Sequence, residues 1–310
     1  MPHERLETGR DSKIVQTYQA CGLTIASDLH LPLTQAPVSV PSADIRIAQQ
    51  TLLPTPPDEA VQIGPGSWAG RDWLSFTVPG VAEFQIEAGL SIVYRSMADD
   101  NATALQTFLL GSALPAALAQ RGTLVLHGSA VRIGTEAILL IGPTAAGKSA
   151  IAAAFMKRGY ALVSDDICTF DREALAQPGL PHIKLWQDSA VQLGITTADL
   201  SPTRVGLERY RFPCDAAEAP VQVAAVYQIS AHNQPSIAFE PVSGFETFEV
   251  LRAATHRSIH MTLFGHAKSH LKHCARLVEN APVTRVRRPN ANCSIDEFAT
   301  ALLDHRETQR

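Results

Sequence analysis

The segment Gly142-Pro143-Thr144-Ala145-Ala146-Gly147-Lys148-Ser149 constrains this chain more than any other stretch. It fits the pattern GxxxxGK[ST], follows the apolar run Ala137 to Ile141, and opens a helix-forming run, Lys148 to Arg158, that stops at Gly159. A strand before and a helix after give that pattern its physical meaning. Small residues let successive backbone N–H groups converge on a phosphate, and the helix adds the positive end of its dipole. Lys148 supplies a mobile cation for β- and γ-phosphates, and the Ser149 hydroxyl a ligand for Mg2+. The expected nucleotide-binding set therefore runs from Gly142 through Ser149 to Ala150, with ATP the expected nucleotide and GTP allowed.

Spacing gives the next acidic pair its meaning. The run Lys148 to Arg158 would travel about 16 Å from the loop at roughly 1.5 Å per residue. A following strand, Tyr160 to Ser164, would return about 16 Å at roughly 3.3 Å per residue. A right-handed crossover makes the flanking strands parallel and brings Asp165-Asp166 to the edge that carries the loop. Two carboxylates there suit phosphoryl transfer, one anchoring Mg2+ and the other accepting a proton from an attacking hydroxyl. Away from such a loop, the same dipeptide would read as a solvated turn. His127, alone in Leu126-His127-Gly128-Ser129, reads by itself as a satisfied core residue.

The 310 residues allow one large domain or two ordinary ones. Before residue 100 the pattern is β-rich. Gln16 to Ile25, Ser42 to Ile47, Trp73 to Val78 and Ala82 to Tyr94 alternate apolar and polar positions, separated by loops such as Pro54-Thr55-Pro56-Pro57 and Gly64-Pro65-Gly66. Residues 1–13 are polar and expected to be loosely held. Asp99 or Asn101 would cap a helix over 102–120 that closes at Gly122. Strands follow at Leu124 to Ile133, Val221 to Ile229 and Val283 to Val286, and Ser294 with Glu297 forms a capping box for a helix toward Leu303. The expected organisation is a β-rich unit over 1–100 and an α/β unit carrying the loop over 101–310.

A net charge of −4 gives no electrostatic case for nucleic acid or for an anionic membrane. Five scattered cysteines without CxxC spacing point to a reducing compartment, and the polar opening lacks the apolar core of a signal peptide. The tract Leu105 to Ala119 is interrupted by Gln106, Thr107, Gly111, Ser112 and Pro115 and falls short of the roughly 20 residues a membrane span requires. A cytoplasmic protein is expected. His256, His260, His266, His270 and His273 crowd one region beside Cys274, but Gly265 divides the i,i+4 pairs and no acidic residue lies between Leu263 and Leu277. That reads as a solvated histidine-bearing helix without structural zinc.

The stretch from Leu126 through Asp166 resembles the catalytic core of the HPr kinase/phosphorylase family. That family sets a histidine-glycine motif before a hairpin, then a Walker A loop, then a Gly-Tyr/His-x-Leu-Val-x-Asp-Asp segment. Here these stand as Leu126-His127-Gly128, Gly142 to Ser149, and Gly159-Tyr160-Ala161-Leu162-Val163-Ser164-Asp165-Asp166. The resemblance implies an HPr-kinase-like domain with a mixed sheet. It makes Asp165 the general base with His127 tuning it and Lys148 gripping phosphate, and it gives Ser149 and Asp166 to Mg2+. More weakly, Lys184-Leu185-Trp186, Tyr210-Arg211-Phe212-Pro213 and the opening Tyr18-Gln19-Ala20-Cys21-Gly22-Leu23 look like a divergent group without the regulatory kinase's own N-terminal domain. Some members of that group phosphorylate a serine of a lasso-peptide precursor, which implies a peptide or small-protein acceptor; the family's assembly implies a homo-oligomer. The glutamate-arginine-glycine signature expected after the acidic pair is missing, so phosphorylase activity and HPr as acceptor are not expected. Arg204, Arg209 and Arg211 are candidates to neutralise transition-state charge. The loop serves equally a nucleotide-dependent regulator or hydrolase without an acceptor protein.

Overall fold

The computed structural model describes residues 15–37, 42–97, 102–200, 202–204 and 206–309, so Asp99, Asn101 and residues 1–13 lie outside it. The first sheet holds β1 (Gln16–Ala20), β2 (Leu23–Ser27), β3 (Thr34–Gln35), β4 (Ile45–Gln49), β5 (Val61–Gly64), β6 (Ser67–Gly70), β7 (Trp73–Val78), β8 (Ala82–Glu87) and β9 (Ser91–Ser96). Their spatial order is β3-β1-β2-β4-β9-β8-β7-β6-β5, with β4 parallel to both its neighbours. Two stretches expected as single strands are hairpins instead. Cys21-Gly22 and Ala88-Gly89 each place two consecutive residues in the left-handed region, at φ 57 and 74, and 51 and 67. That is the backbone of a tight two-residue turn whose twist matches the strands it joins.

A helical run comes next: α1 (Ala102–Phe108), a π turn over Leu109–Ala113, and α2 (Leu114–Gln120). The interruptions expected to weaken this tract are absorbed. Gly111 and Ser112 lie within the π turn, and the wider turn just before Pro115 accommodates its missing N–H. The run is long and apolar enough, by length and composition, to cross a membrane. Here that apolarity is used against the first sheet: Leu109, Leu114, Ala116 and Ala117 share one buried cluster with Phe84, Ile86 and Ile92. The Gln120 side chain accepts a 2.8 Å bond from the Gly89 N–H, tying the hairpin to the helix end.

The remaining elements are β10 (Leu124–Leu126), β11 (Gly128–Ile133), β12 (Glu136–Ile141), α3 (Lys148–Lys157), β13 (Ala161–Asp165), β14 (Cys168–Phe170), β15 (Leu175–Ala176), β16 (His182–Trp186) and α4 (Gln187–Gln192). After them come β17 (Arg209–Pro213), β18 (Val221–His232), β19 (Ala238–Val242), α5 (Phe245–Ala254), α6 (Ile259–Leu263), α7 (Ala267–Asn280), β20 (Val283–Pro289) and α8 (Ile295–Thr308). The second sheet is mixed: β12 runs parallel to β18, β18 parallel to β20, and β11 antiparallel to both β12 and β13. The strands flanking α3 are therefore parallel with β11 between them, and Asp165 reaches the edge that holds the 142–147 loop. The expected strand Leu124 to Ile133 breaks at His127, because Leu126 pairs with β14 whereas Gly128 pairs with Ile141. The Ser294/Glu297 capping box forms and its helix continues to Thr308, five residues past the expected Leu303.

The histidine-rich region is not a solvated helix. His260 and His270 are 3% and 4% exposed, and His270 Nε2 lies 2.8 Å from the Thr255 hydroxyl. His266 Nε2 lies 2.9 Å from the Gln120 carbonyl. These imidazoles pack into the seam between α2, α6 and α7, an arrangement that charge counting along the sequence does not reveal. Among the described residues no three His, Cys, Asp or Glu side chains gather as a metal set.

Burial has a consequence for acid stability. It lowers His182 to about 3, helped by Arg211 and Lys184, and His260 to about 4, helped by Arg257. The unfolded chain takes up these protons near pH 6.5 and the folded chain refuses them, so stability is full above about pH 6.5 and falls below it. At about pH 5 each histidine should cost on the order of 2 kcal/mol. Urea midpoints measured from about pH 7.5 down to 5 should fall accordingly. A flat midpoint would mean that these imidazoles accept protons in the folded protein.

Candidate active site

The loop between β12 and α3 is shaped by contact. A side chain on Gly142 (φ 147) would collide with the carbonyl oxygen of Ile229 in β18, so only glycine lets the loop leave the sheet here. Gly147 (φ 93) caps α3, whose Ile151, Ala152, Ala154 and Phe155 are buried on all sides. The first N–H groups of α3 thus open toward the loop. The Lys148 ammonium, 6% exposed as a residue, donates to the carbonyls of Gly142 and Pro143, each at 2.9 Å. Burial lowers its proton affinity, with Asp165 and Asp166 opposing that shift. Ala145 holds φ 66, a left-handed angle that costs a residue bearing Cβ roughly 1–2 kcal/mol. Ala145→Gly should therefore raise folding stability by about 1 kcal/mol, read from urea unfolding; a loss would show that the Ala145 methyl packs productively.

A slip in pairing aims Asp165. Ser129 faces Asp165 and Ala130 faces Ser164, but Val131 faces Leu162, which leaves Val163 without a register partner on β11. The bulge breaks strict alternation. Leu162 points into the cluster containing α3, Val163 into the opposite cluster, and Ser164 donates to Cys168 on that same opposite side. Asp165 thereby returns to the α3 side. Its Oδ1 accepts from the Ser129 hydroxyl at 2.6 Å and the Ser149 hydroxyl at 2.8 Å, and its Oδ2 from the Lys184 N–H at 3.2 Å. At 2% exposure, it is enclosed by these donors. Burial and the neighbouring Asp166 charge raise its carboxyl above the ordinary value, against these three hydrogen bonds.

Asp166 follows at φ 71, with its N–H on the Gly128 carbonyl at 2.8 Å. Aspartate tolerates this left-handed turn better than most residues. The turn brings the second carboxylate to the same site, where Oδ2 meets the Lys184 ammonium at 2.7 Å and Oδ1 meets His127 Nδ1 at 3.2 Å. Burial pushes the Asp166 carboxyl up, but His127 and Lys184 outweigh it and hold the group well below the usual carboxylate range. The expected pairings are thus exchanged: Ser149 binds Asp165, not Asp166, and His127 meets Asp166, not Asp165. The cause is the Val163 bulge together with the left-handed bend, neither of which strand periodicity reports.

A two-stranded ribbon supplies the cationic wall. In His182-Ile183-Lys184-Leu185-Trp186, Ile183 and Leu185 enter the core that holds α3, so Lys184 and Trp186 share the other face. Across the ribbon Arg211 stands opposite Lys184, and Arg209 opposite Trp186. Arg209 lies 6.0 Å from the centre of the Trp186 ring and lines the cleft with Thr144, Lys148, Ser149, Asp166 and Lys184. The cleft encloses about 180 Å3. Arg211 turns to Gln106 and Thr107 at 3.4 Å, and Arg204 lies over the Phe108 ring at 5.8 Å, so both serve α1. Lys184 and Trp186 had no role from the residues alone. The signal was present in the alternation of charge with apolar or aromatic residues along β16 and β17, which sets the charged side chains on one face of each strand.

The donors that converge on the cleft suit a triphosphate: an ammonium at Lys148, a guanidinium at Arg209, and a glycine-bounded loop at the start of α3. For a divalent cation, the Ser149 hydroxyl and Asp165 carboxylate form an all-oxygen pair, the donor type Mg2+ takes alongside phosphate oxygens and water.

No protein-family model matches the chain, and no curated protein does. Among solved structures, the HPr(Ser) kinase/phosphatase from Coxiella burnetii aligns at a TM-score of 0.28 and 12% identity, covering 60% of this chain and 97% of that one. The likeness is a weak one at the level of the fold, and the chemistry of the site stands on its own side chains.

Proposed function

We propose that the chain is an ATP-dependent kinase that transfers a γ-phosphoryl group to a hydroxyl, with Asp166 rather than Asp165 facing that hydroxyl. The observation that carries this reading is the division of labour between adjacent carboxylates. Asp165 is enclosed and bonded to Ser149, whereas Asp166 opens onto the cleft beside Lys148.

In this reading the triphosphate displaces Lys148 from the Gly142 and Pro143 carbonyls, and loop N–H groups replace them as its partners. The Ser149–Asp165 pair would hold Mg2+, which when bound offsets phosphate charge. Asp166 orients the acceptor hydroxyl and takes its proton as the new O–P bond forms and the bond to the leaving diphosphate breaks. A low proton affinity suits that task, because a loose transition state needs alignment more than a strong base. Lys184 releases Asp166 toward the hydroxyl by shifting its charge onto the transferring group, and Arg209 neutralises charge from the opposite wall. His127 fixes the Asp166 carboxylate. A peptide or small-protein acceptor, a lasso-peptide precursor among them, is supported by the sequence resemblance alone.

Incubation with ATP labelled at the γ-phosphate and serine-containing peptides should put label on a hydroxyl as an acid-stable ester. Label found exclusively in free phosphate would replace the kinase reading with a hydrolase or nucleotide-dependent regulator.

A further inference from the structure

Asp166 and His127 line two clefts. The first holds Lys148 and Arg209; the second, of about 400 Å3, lies across Pro143 and Thr144 and is closed by Thr255, His256 and Arg257. That far wall is anchored, not a loose loop. Thr255 bridges Leu126, the His127 N–H donates to the Ala254 carbonyl at 2.7 Å, and the His256 N–H donates to the Val125 carbonyl at 2.9 Å. Arg257 comes next at φ 47, a left-handed angle that costs energy in an arginine, and its carbonyl accepts from the His260 N–H at 2.8 Å to start α6. A strained, exposed residue on a rigid base calls for a functional explanation.

The chemistry of the wall is one-sided. Among the described residues the Arg257 guanidinium has no hydrogen-bond or ion-pair partner. The buried Nδ1 of His256 also lacks a partner. Residues 250–278 contain no Asp or Glu but include Arg252, Arg257, Lys268, Lys272 and Arg276, in a chain whose net charge is −4. A free guanidinium offers paired donors matched to a carboxylate.

We infer that the second cleft seats the phospho-acceptor, and that Arg257 holds a carboxylate of it while the reacting hydroxyl lies at Asp166. The preferred acceptor is then an acidic peptide whose serine stands beside Asp or Glu. This assignment rests on the kinase reading above and names its substrate class. The lining suits it: Arg257 and Asp166 face one cleft, so a single acceptor can meet the guanidinium with a carboxylate and Asp166 with its hydroxyl.

The test reads binding without turnover. The full-length chain with ADP and Mg2+ is titrated with two peptides of equal length, one with serine flanked by Asp and the other with serine flanked by Asn. The acidic peptide should bind at least about tenfold more tightly, the effect of one charge-assisted pair. Arg257→Gly, which adopts φ 47 without strain, and Arg257→Gln, which keeps side-chain length, should both erase the difference; melting temperatures check that each variant folds. Equal binding of the two peptides by the wild-type chain, or an undiminished preference in both variants, overturns the assignment. Neither result bears on transfer of labelled γ-phosphate to a hydroxyl, so the kinase reading fails or survives by its own assay.

Discussion

Asp166→Asn is expected to cut γ-phosphoryl transfer by about 10^2 to 10^4 while nucleotide affinity stays close to wild type. The amide keeps the volume and an oxygen for Lys184 but takes no proton from the acceptor. Asparagine also tolerates the φ of 71 that this position demands, so the turn survives. Some stability is lost, because Lys184, 6% exposed, then keeps its charge without a countercharge. Initial rates at saturating ATP, with nucleotide titration alongside, measure both quantities. The resemblance to HPr kinases implies that the proton goes to Asp165, whereas the function proposed above gives it to Asp166. Wild-type turnover in Asp166→Asn would return the role to Asp165.

Asp165→Ala should act first on the fold. Three donors end on this carboxylate: two hydroxyls and the Lys184 N–H. The Ser129 and Ser149 hydroxyls can rotate to other acceptors, but the main-chain N–H of β16 cannot. Leaving it orphaned in a buried site, with a cavity where the carboxylate was, should cost about 3 kcal/mol or more. That is a large share of a net stability of roughly 5–15 kcal/mol. The variant should also need more Mg2+ for half-maximal turnover, since Ser149 loses its carboxylate. Denaturant unfolding and Mg2+ titration separate the two effects. Unchanged stability would mean that Asp165 is not the hub its hydrogen bonds describe.

Taken together the two variants distinguish neighbouring carboxylates that the sequence presents as a bare Asp-Asp. One is enclosed on the side of Ser149; the other is held between Lys184 and His127 at an opening. Their proton affinities diverge for the same reason. Asp165 is raised by burial, and Asp166 is depressed by the partners that override burial.

The amino-acid sequence by itself determined what depends on near neighbours in the chain. The loop 142–149 declares itself because a phosphate cradle needs glycine, lysine and serine at fixed offsets, and α8 because its capping box is a contact over three residues. Periodicity located most strands of both sheets, but it could not cut Gln16–Ile25 or Ala82–Tyr94, since their turns use Cys21 and Ala88 in a left-handed geometry more usual for Gly, Asn or Asp. Tertiary structure alone decided which carboxylate meets Ser149. Alternation along β13 is reset at Val163, which has no register partner on β11, and a bulge is settled by packing on both faces of the sheet at once. It also decided that Lys184 and Arg209 join the site while Arg204 and Arg211 serve α1, and that the histidines of α6 and α7 turn inward. Each of those outcomes depends on an element distant in sequence, which local pattern cannot specify.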